Sequence, residues 1–100
     1  MNNNLKIPHE KITEFCIKNS IRKLSFFGSV LRNDFNPDSD VDILVEFKEG
    51  HGPSFFGLAR MERELSEIFG RKVDLRTPNE LSKYFRDKVL STAQIQYAQG

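Results

Sequence analysis

Between Phe26 and Glu46 the chain reads Phe-Phe-Gly-Ser-Val-Leu-Arg-Asn-Asp-Phe-Asn-Pro-Asp-Ser-Asp-Val-Asp-Ile-Leu-Val-Glu, and this stretch constrains the fold more than any other. Ile21 to Phe27, with Leu24, Phe26 and Phe27 as its apolar content, ends at Gly28 and reads as a strand entering a tight turn. Asp40 to Phe47, carrying Val41, Ile43, Leu44 and Val45, reads as a central strand. Ser29 can cap a short helix through Asn33, or the amides there can receive an anion. Asn36-Pro37-Asp38-Ser39 must then reverse the chain. Because Gly28-Ser29 closes one strand and Asp40 opens the next, both belong to the same end of an antiparallel pair.

The flanking segments supply the helices and a third strand. Ile12, Phe15 and Cys16 recur three and four apart between Pro8 and about Asn19, away from Glu10, Lys11, Glu14 and Lys18, which predicts an amphipathic helix. Lys48-Glu49-Gly50-His51-Gly52-Pro53 is a polar loop and the expected mobile segment. From Ser54 to Phe69, the residues Phe55, Leu58, Met61, Leu65, Ile68 and Phe69 share one helical face, with Gly70 as the stop. Arg71 to Arg76 is a short strand reached by a helical crossover, so it should run parallel to the second strand and bring Asp74 to the end that holds Asp40 and Asp42. Thr77-Pro78-Asn79-Glu80 predicts a helix start, followed by an apolar stripe of Leu81, Tyr84, Phe85 and Val89 that a break near Arg86 could interrupt. The tail after Thr92 is glutamine-rich and weakly patterned.

Strand alternation puts Asp40 and Asp42 on one face, about 7 Å apart, with Val41 facing the other way. Carboxylates held that close repel unless a cation lies between them. Hard oxygen ligands suit magnesium, which binds through one or two carboxylates plus substrate phosphates. With Asp74, three carboxylates can hold two ions about 4 Å apart, an arrangement suited to in-line displacement at phosphorus. Gly28 permits close approach of the backbone to a phosphate, and Ser29 with the following amides can donate to it. Arg32 is a candidate phosphate contact, with a salt bridge to Asp34 or Asp38 as the alternative. Taken singly, each feature has a plainer reading: Asp-x-Asp caps turns, Gly-Ser makes turns, and Asp74 can pair with Arg71 or Arg76. Their joint spacing at one end of one sheet is what points to a magnesium-bound nucleoside triphosphate. His9 and His51 pair with no nucleophile and are expected to be solvated.

Length and charge limit the partners. One hundred residues make one expected domain, residues 1–100, with little surface left for a second substrate-binding module. Fifteen basic against 14 acidic residues leave a net charge of +1, which provides no bulk field for a polyanion, so direct nucleic-acid binding is not expected. Cys16 lies in the apolar pattern of the first helix and reads as a buried thiol suited to a reducing cytosol. No apolar run approaches the roughly 18 residues of a membrane span, and the first residues lack a leader pattern, so a cytoplasmic location is expected.

With these residues placed, the chain resembles the minimal nucleotidyltransferases, or MNT domains, of the DNA polymerase β-like superfamily. The pattern is Gly28-Ser29, ten residues, Asp40-x-Asp42 and an apolar strand. The resemblance extends to Phe-Gly-Leu-Ala-Arg-Met-Glu-Arg-Glu-Leu at 56–65 and Gly-Arg-Lys-Val-Asp-Leu-Arg-Thr-Pro at 70–78, and so covers nearly the whole chain. It implies an α/β fold of the α+β mixed-sheet kind: a small sheet, three-stranded or slightly larger, flanked by helices. It also implies magnesium-dependent ATP binding and transfer of AMP with loss of pyrophosphate. In this family MNT proteins act as antitoxins to HEPN-domain toxins, and some adenylylate a tyrosine of the toxin. Carried over by position, Asp40, Asp42 and Asp74 are metal ligands, and Gly28 and Ser29 hold the triphosphate. Where relatives often continue with a proline-bearing acidic ending, this chain has Ser91-Thr92-Ala93-Gln94-Ile95-Gln96-Tyr97.

The expected activity is therefore protein adenylylation of a HEPN partner. The alternatives are an antitoxin that works by occlusion, for which Phe27, Phe35, Phe55 and Phe56 could supply an exposed patch although core packing is the expected fate of most, and transfer to a small molecule, for which the chain offers no enclosing second domain.

Overall fold

The two apolar segments of the central stretch do form neighbouring antiparallel strands, β1 (Ile21–Phe26) and β2 (Val41–Phe47), with Phe26 opposite Ile43 and Leu24 opposite Val45. The computed structural model describes residues 5–99, the side chain of Phe55 excepted. Before β1 comes helix α1 (His9–Lys18). After β2 come helix α2 (Phe55–Phe69), strand β3 (Val73–Arg76), helix α3 (Lys83–Thr92) and strand β4 (Gln94–Ala98). The strand order is β3-β2-β1-β4, with β2 and β3 parallel and β1 antiparallel to both of its neighbours. The mixed sheet expected from the crossover is thus present, with a fourth strand added.

Alternation along the strands builds two unequal apolar layers. Leu24, Phe26, Val41, Ile43, Val45, Val73 and Leu75 meet Ile12, Phe15 and Cys16 of α1 and Leu65 of α2 in the main core. Each such buried aliphatic contributes on the order of 1.5–3 kcal/mol relative to exposure. Burial pushes the Cys16 thiol up to about 12, so it stays protonated and serves as a small apolar side chain. On the other face Leu44 and Phe27 form a smaller cluster with Val89 of α3, joined by Leu81 and Ala93. The helix ends follow their local chemistry. The Ser54 hydroxyl accepts from the Gly57 amide at 3.2 Å, and Gly70 takes φ +68° while the amides of Gly70 and Arg71 return to Glu67 and Ser66.

Two expectations need correction. The segment opening at Thr77 is not one helix but a 3-10 turn (Pro78–Glu80), a break at extended Leu81, and α3, whose new cap is the Ser82 hydroxyl. The Arg86 guanidinium bridges the break, donating to the Pro78 and Leu81 carbonyls at 2.8 and 3.1 Å. The apolar stripe is therefore split: Val89 is buried and Leu81 partly so, while Tyr84 and Phe85 are 93% and 52% exposed. The second correction concerns the tail, which is a strand. Tyr97 lies opposite Leu24 and packs on the main core, and Ile95 lies opposite Ser25. Pairing with an available edge of β1 decided this, and the tail's own pattern is too weak to announce it. Of the aromatic residues that could supply an exposed patch, Phe27 and Phe35 are buried, the fate expected of most of them, and Phe56 is 79% exposed. The Phe55 side chain lies outside the described residues.

Candidate active site

The end of β1 and the start of β2 are joined by more than the strand ladder. Past Phe26, the Phe27 amide still donates to the Asp42 carbonyl at 3.1 Å. Gly28 then turns the chain at φ +63° into a 3-10 turn (Gly28–Leu31) anchored by buried Val30. The Ser29 amide and hydroxyl both reach Asp42 Oδ2, at 3.0 and 2.9 Å, and the same hydroxyl lies 2.9 Å from the Asp40 carbonyl. A hydroxyl has one proton, so these two acceptors share it. Ser29 is thus not the helix cap that was one of its expected roles; it ties the turn to β2 and presents its amide to an anion, here the Asp42 carboxylate. A Cβ on Gly28 would stand 2.5 Å from Asp42 Oδ2, closer than packing allows.

Asp74 arrives where the crossover places it. In the parallel β2–β3 register Asp42 is the direct partner of Asp74, and the Val41 amide donates to the Lys72 carbonyl at 2.9 Å. Asp40, two residues before Asp42, sits at the same sheet end. Each carboxylate has its own local partner: Asp40 meets Lys72 Nζ at 3.7 Å, Asp74 meets Arg76 Nε at 3.2 Å, and Asp42 holds Ser29. These ion pairs are open to solvent and contribute little stability. Among the described residues no three acidic, histidine or cysteine side chains are grouped tightly enough to hold a metal ion as they stand. The donor set is nevertheless the kind magnesium takes, since one or two carboxylates and the phosphates of a substrate suffice.

Arg32 is paired with Asp34 at 3.3 Å. Its hydrogen bond and charge hold the Asp34 carboxyl below its ordinary value, and Asp34 raises Arg32 in return. A cavity of about 790 Å³ opens beside β3, lined by Asp40, Asp74, Lys72, Arg76, Glu62 and Thr77 among others. Gly28, Ser29 and Asp42 do not line it. One residue that shapes this end of the sheet is offered by the sequence only as a partner of Asp74. Arg71 instead donates to the Asn36 and Ser39 carbonyls at 2.6 and 2.5 Å, with its guanidinium 4.5 Å from the centre of the Phe35 ring. It staples the loop before Asp40 to the start of β3. An arginine just past a glycine helix stop and just before a strand was the available signal.

A sequence model of the nucleotidyltransferase domain matches residues 9–95. The chain belongs to the nucleotidyltransferase domain family. This nucleotidyltransferase is similar to a protein of Methanocaldococcus jannaschii provisionally named a protein adenylyltransferase, with 38% identity over 90 residues, 90% of this chain and 95% of that one. Its fold is similar to that of a toxin–antitoxin crystal structure with AMP-PNP, at TM-score 0.76 and 18% identity, covering 93% of this chain and 75% of that one. It is also similar to a complex of a tri-AMPylated Shewanella oneidensis HEPN toxin with an MNT antitoxin, at TM-score 0.67 and 18% identity, covering 91% of this chain and 70% of that one. In this nucleotidyltransferase, no helix of the described residues is long and apolar enough to cross a membrane.

Proposed function

We propose that this nucleotidyltransferase transfers AMP from ATP to a tyrosine hydroxyl of a HEPN-domain partner and thereby acts as an antitoxin. The observation that carries the reading is the in-register pair Asp42–Asp74 beside the Gly28-Ser29 turn, whose amide already faces an anion. The protein adenylyltransferase name of the relative and the AMPylated HEPN complex among the structural neighbours support the choice of nucleotide and acceptor.

Asp40, Asp42 and Asp74 would hold magnesium, two ions being the expected number. Bound there, magnesium would neutralise phosphate charge and favour ionisation of the attacking hydroxyl. The chain's own groups do the rest. With Asp42 holding the ion, the Ser29 amide and hydroxyl would be available to triphosphate oxygens, and Gly28 would let the backbone lie close to them. Arg32 adds a positive charge on the same turn. Asp74, as ligand or as proton acceptor, would receive the tyrosine proton in the second role, as the hydroxyl oxygen bonds to the α-phosphorus and the bond to the pyrophosphate oxygen breaks.

The test is incubation of the purified chain with labelled ATP, magnesium and the HEPN-type protein encoded beside it. Label should appear on a tyrosine of the partner, require magnesium, and fall by roughly 100-fold or more in Asp42→Asn, the loss of several kcal/mol of charge stabilisation. Equal labelling by wild type and variant, or none by either, would sink the proposal. The exposure of Tyr84, Phe85, Leu90 and Ile95 favours a second reading, neutralisation by occlusion alone. Neutralisation that survives replacement of all three aspartates would establish that alternative.

A further inference from the structure

Strand β3, which carries Asp74, is a four-residue edge strand that among the described residues pairs with β2 alone. Its outward side is held by two side chains of α2. The Leu75 amide donates to Glu62 Oε2 at 2.8 Å, and the Val73 amide donates to Ser66 Oγ at 3.1 Å. The Ser66 hydroxyl gives its own proton to the Glu62 carbonyl at 2.9 Å, leaving a lone pair for Val73. These are the amides immediately on either side of Asp74.

The fit follows from two periods. Residues one helical turn apart have Cβ atoms about 5–6 Å apart, and alternate residues of a strand repeat at roughly 6.6–6.8 Å. A helix running against β3 can therefore meet both outward amides with an i, i+4 pair, Glu62 with Leu75 and Ser66 with Val73. By alternation the Asp74 carboxylate projects to a face different from that of buried Val73 and Leu75, so the clamp acts on its backbone and leaves the carboxylate open.

We propose that Glu62 is a positioning residue for Asp74: with Ser66, it fixes the height and register of β3 so that Asp74 stays beside Asp42. The proposal rests on the reading of Asp74 as a metal ligand of the AMP-transfer site. Without the clamp, the outward amides turn to water and an edge strand of four residues opens locally at low cost. Simple covering of a sheet edge would produce the same bonds, and the two accounts differ in what Asp74 does when the bonds are lost.

The test compares Glu62→Gln, which keeps a side-chain oxygen for the Leu75 amide, with Glu62→Ala, which does not. Three quantities are read: hydrogen exchange at the Val73 and Leu75 amides, the affinity for Mn²⁺ in the presence of AMP-PNP, and kcat against KM for AMP transfer. Glu62→Ala should speed exchange at Leu75, weaken Mn²⁺ binding and lower kcat by about 10–100-fold, the usual consequence of removing a group that orients a ligand. Glu62→Gln should restore all three close to wild type. Ser66→Ala, which removes one hydroxyl, repeats the test at Val73 should Glu62→Ala fail to fold. Failure of Glu62→Gln to rescue would make the charge itself essential and overturn a positioning role. Faster exchange with unchanged Mn²⁺ affinity and kcat would reduce the clamp to edge protection and overturn it too. A wild type that binds Mn²⁺ with AMP-PNP and shows the expected exchange and affinity pattern, yet transfers no AMP, counts against AMP transfer and leaves the clamp standing. A wild type that binds no Mn²⁺ overturns both.

Discussion

Gly28 meets two requirements at one backbone position. Its φ of +63° lies in the left-handed region, and a Cβ there would press on Asp42 Oδ2. The first requirement alone costs about 1–2 kcal/mol for an L side chain; the second cannot be relieved without moving the carboxylate that the turn exists to face. Gly28→Ala should therefore lower stability by about 2 kcal/mol or more and also weaken AMP-PNP binding, because Asp42 must shift away from Ser29. Thermal denaturation and a nucleotide titration on the folded variant check the two halves. A variant that loses stability but binds AMP-PNP as the wild type does would remove this turn from the nucleotide site.

At the scale of elements, the site end of the sheet is held by side chains that join segments distant in sequence. Arg71, at the junction of α2 and β3, fastens the 32–40 loop by two carbonyl contacts and by stacking over Phe35. One guanidinium nitrogen, Nη2, donates to both carbonyls while the planar group lies over the ring, whereas an ammonium is a compact charge with no plane to lay on Phe35. Arg71→Lys should accordingly destabilise the chain by roughly 1.5–3 kcal/mol, the range for hydrogen bonds to a charged group. Urea unfolding measures it, and a change within about 0.5 kcal/mol, typical of ordinary surface substitutions, would contradict the staple. Helix α3 is the opposite case. Val89 is its one buried residue among those described, so the helix is attached mainly through Val89 and the Arg86 bridge.

For the whole molecule, β4 completes the sheet by covering β1, with Tyr97 closing the main core. Removing residues 94–99 would expose the edge of β1 and free several backbone hydrogen bonds, each worth a net 0.5–1.5 kcal/mol or so. The expected loss is several kcal/mol, a fall in Tm of upwards of about 10 °C for a chain this size, with self-association through the bared edge. Calorimetry and light scattering would show both effects, and an unchanged Tm would mean that β4 is dispensable to the fold.

The elements legible in advance were those whose signal is local and strong. Helices α1 and α2, strands β1 to β3, the stop at Gly70 and the shared sheet end of Gly28, Ser29, Asp40, Asp42 and Asp74 all follow from period, turn chemistry and the rule for crossovers. What escaped was settled by neighbours far along the chain. The glutamine-rich tail became a strand because β1 offered an edge. The stripe divided because the chain breaks at extended Leu81: Val89, Leu81 and Ala93 join the small second layer over Leu44 and Phe27, while Tyr84 and Phe85 stay in solvent. Ser29 turned from cap to tie because Asp42 lay within reach. Sequence by itself determined which residues stand at the site end of the sheet, since alternation and connection lengths leave few other arrangements. Tertiary structure alone decided what holds them there, because the bonds from Arg71, Glu62 and Ser66 join residues whose proximity no local pattern encodes.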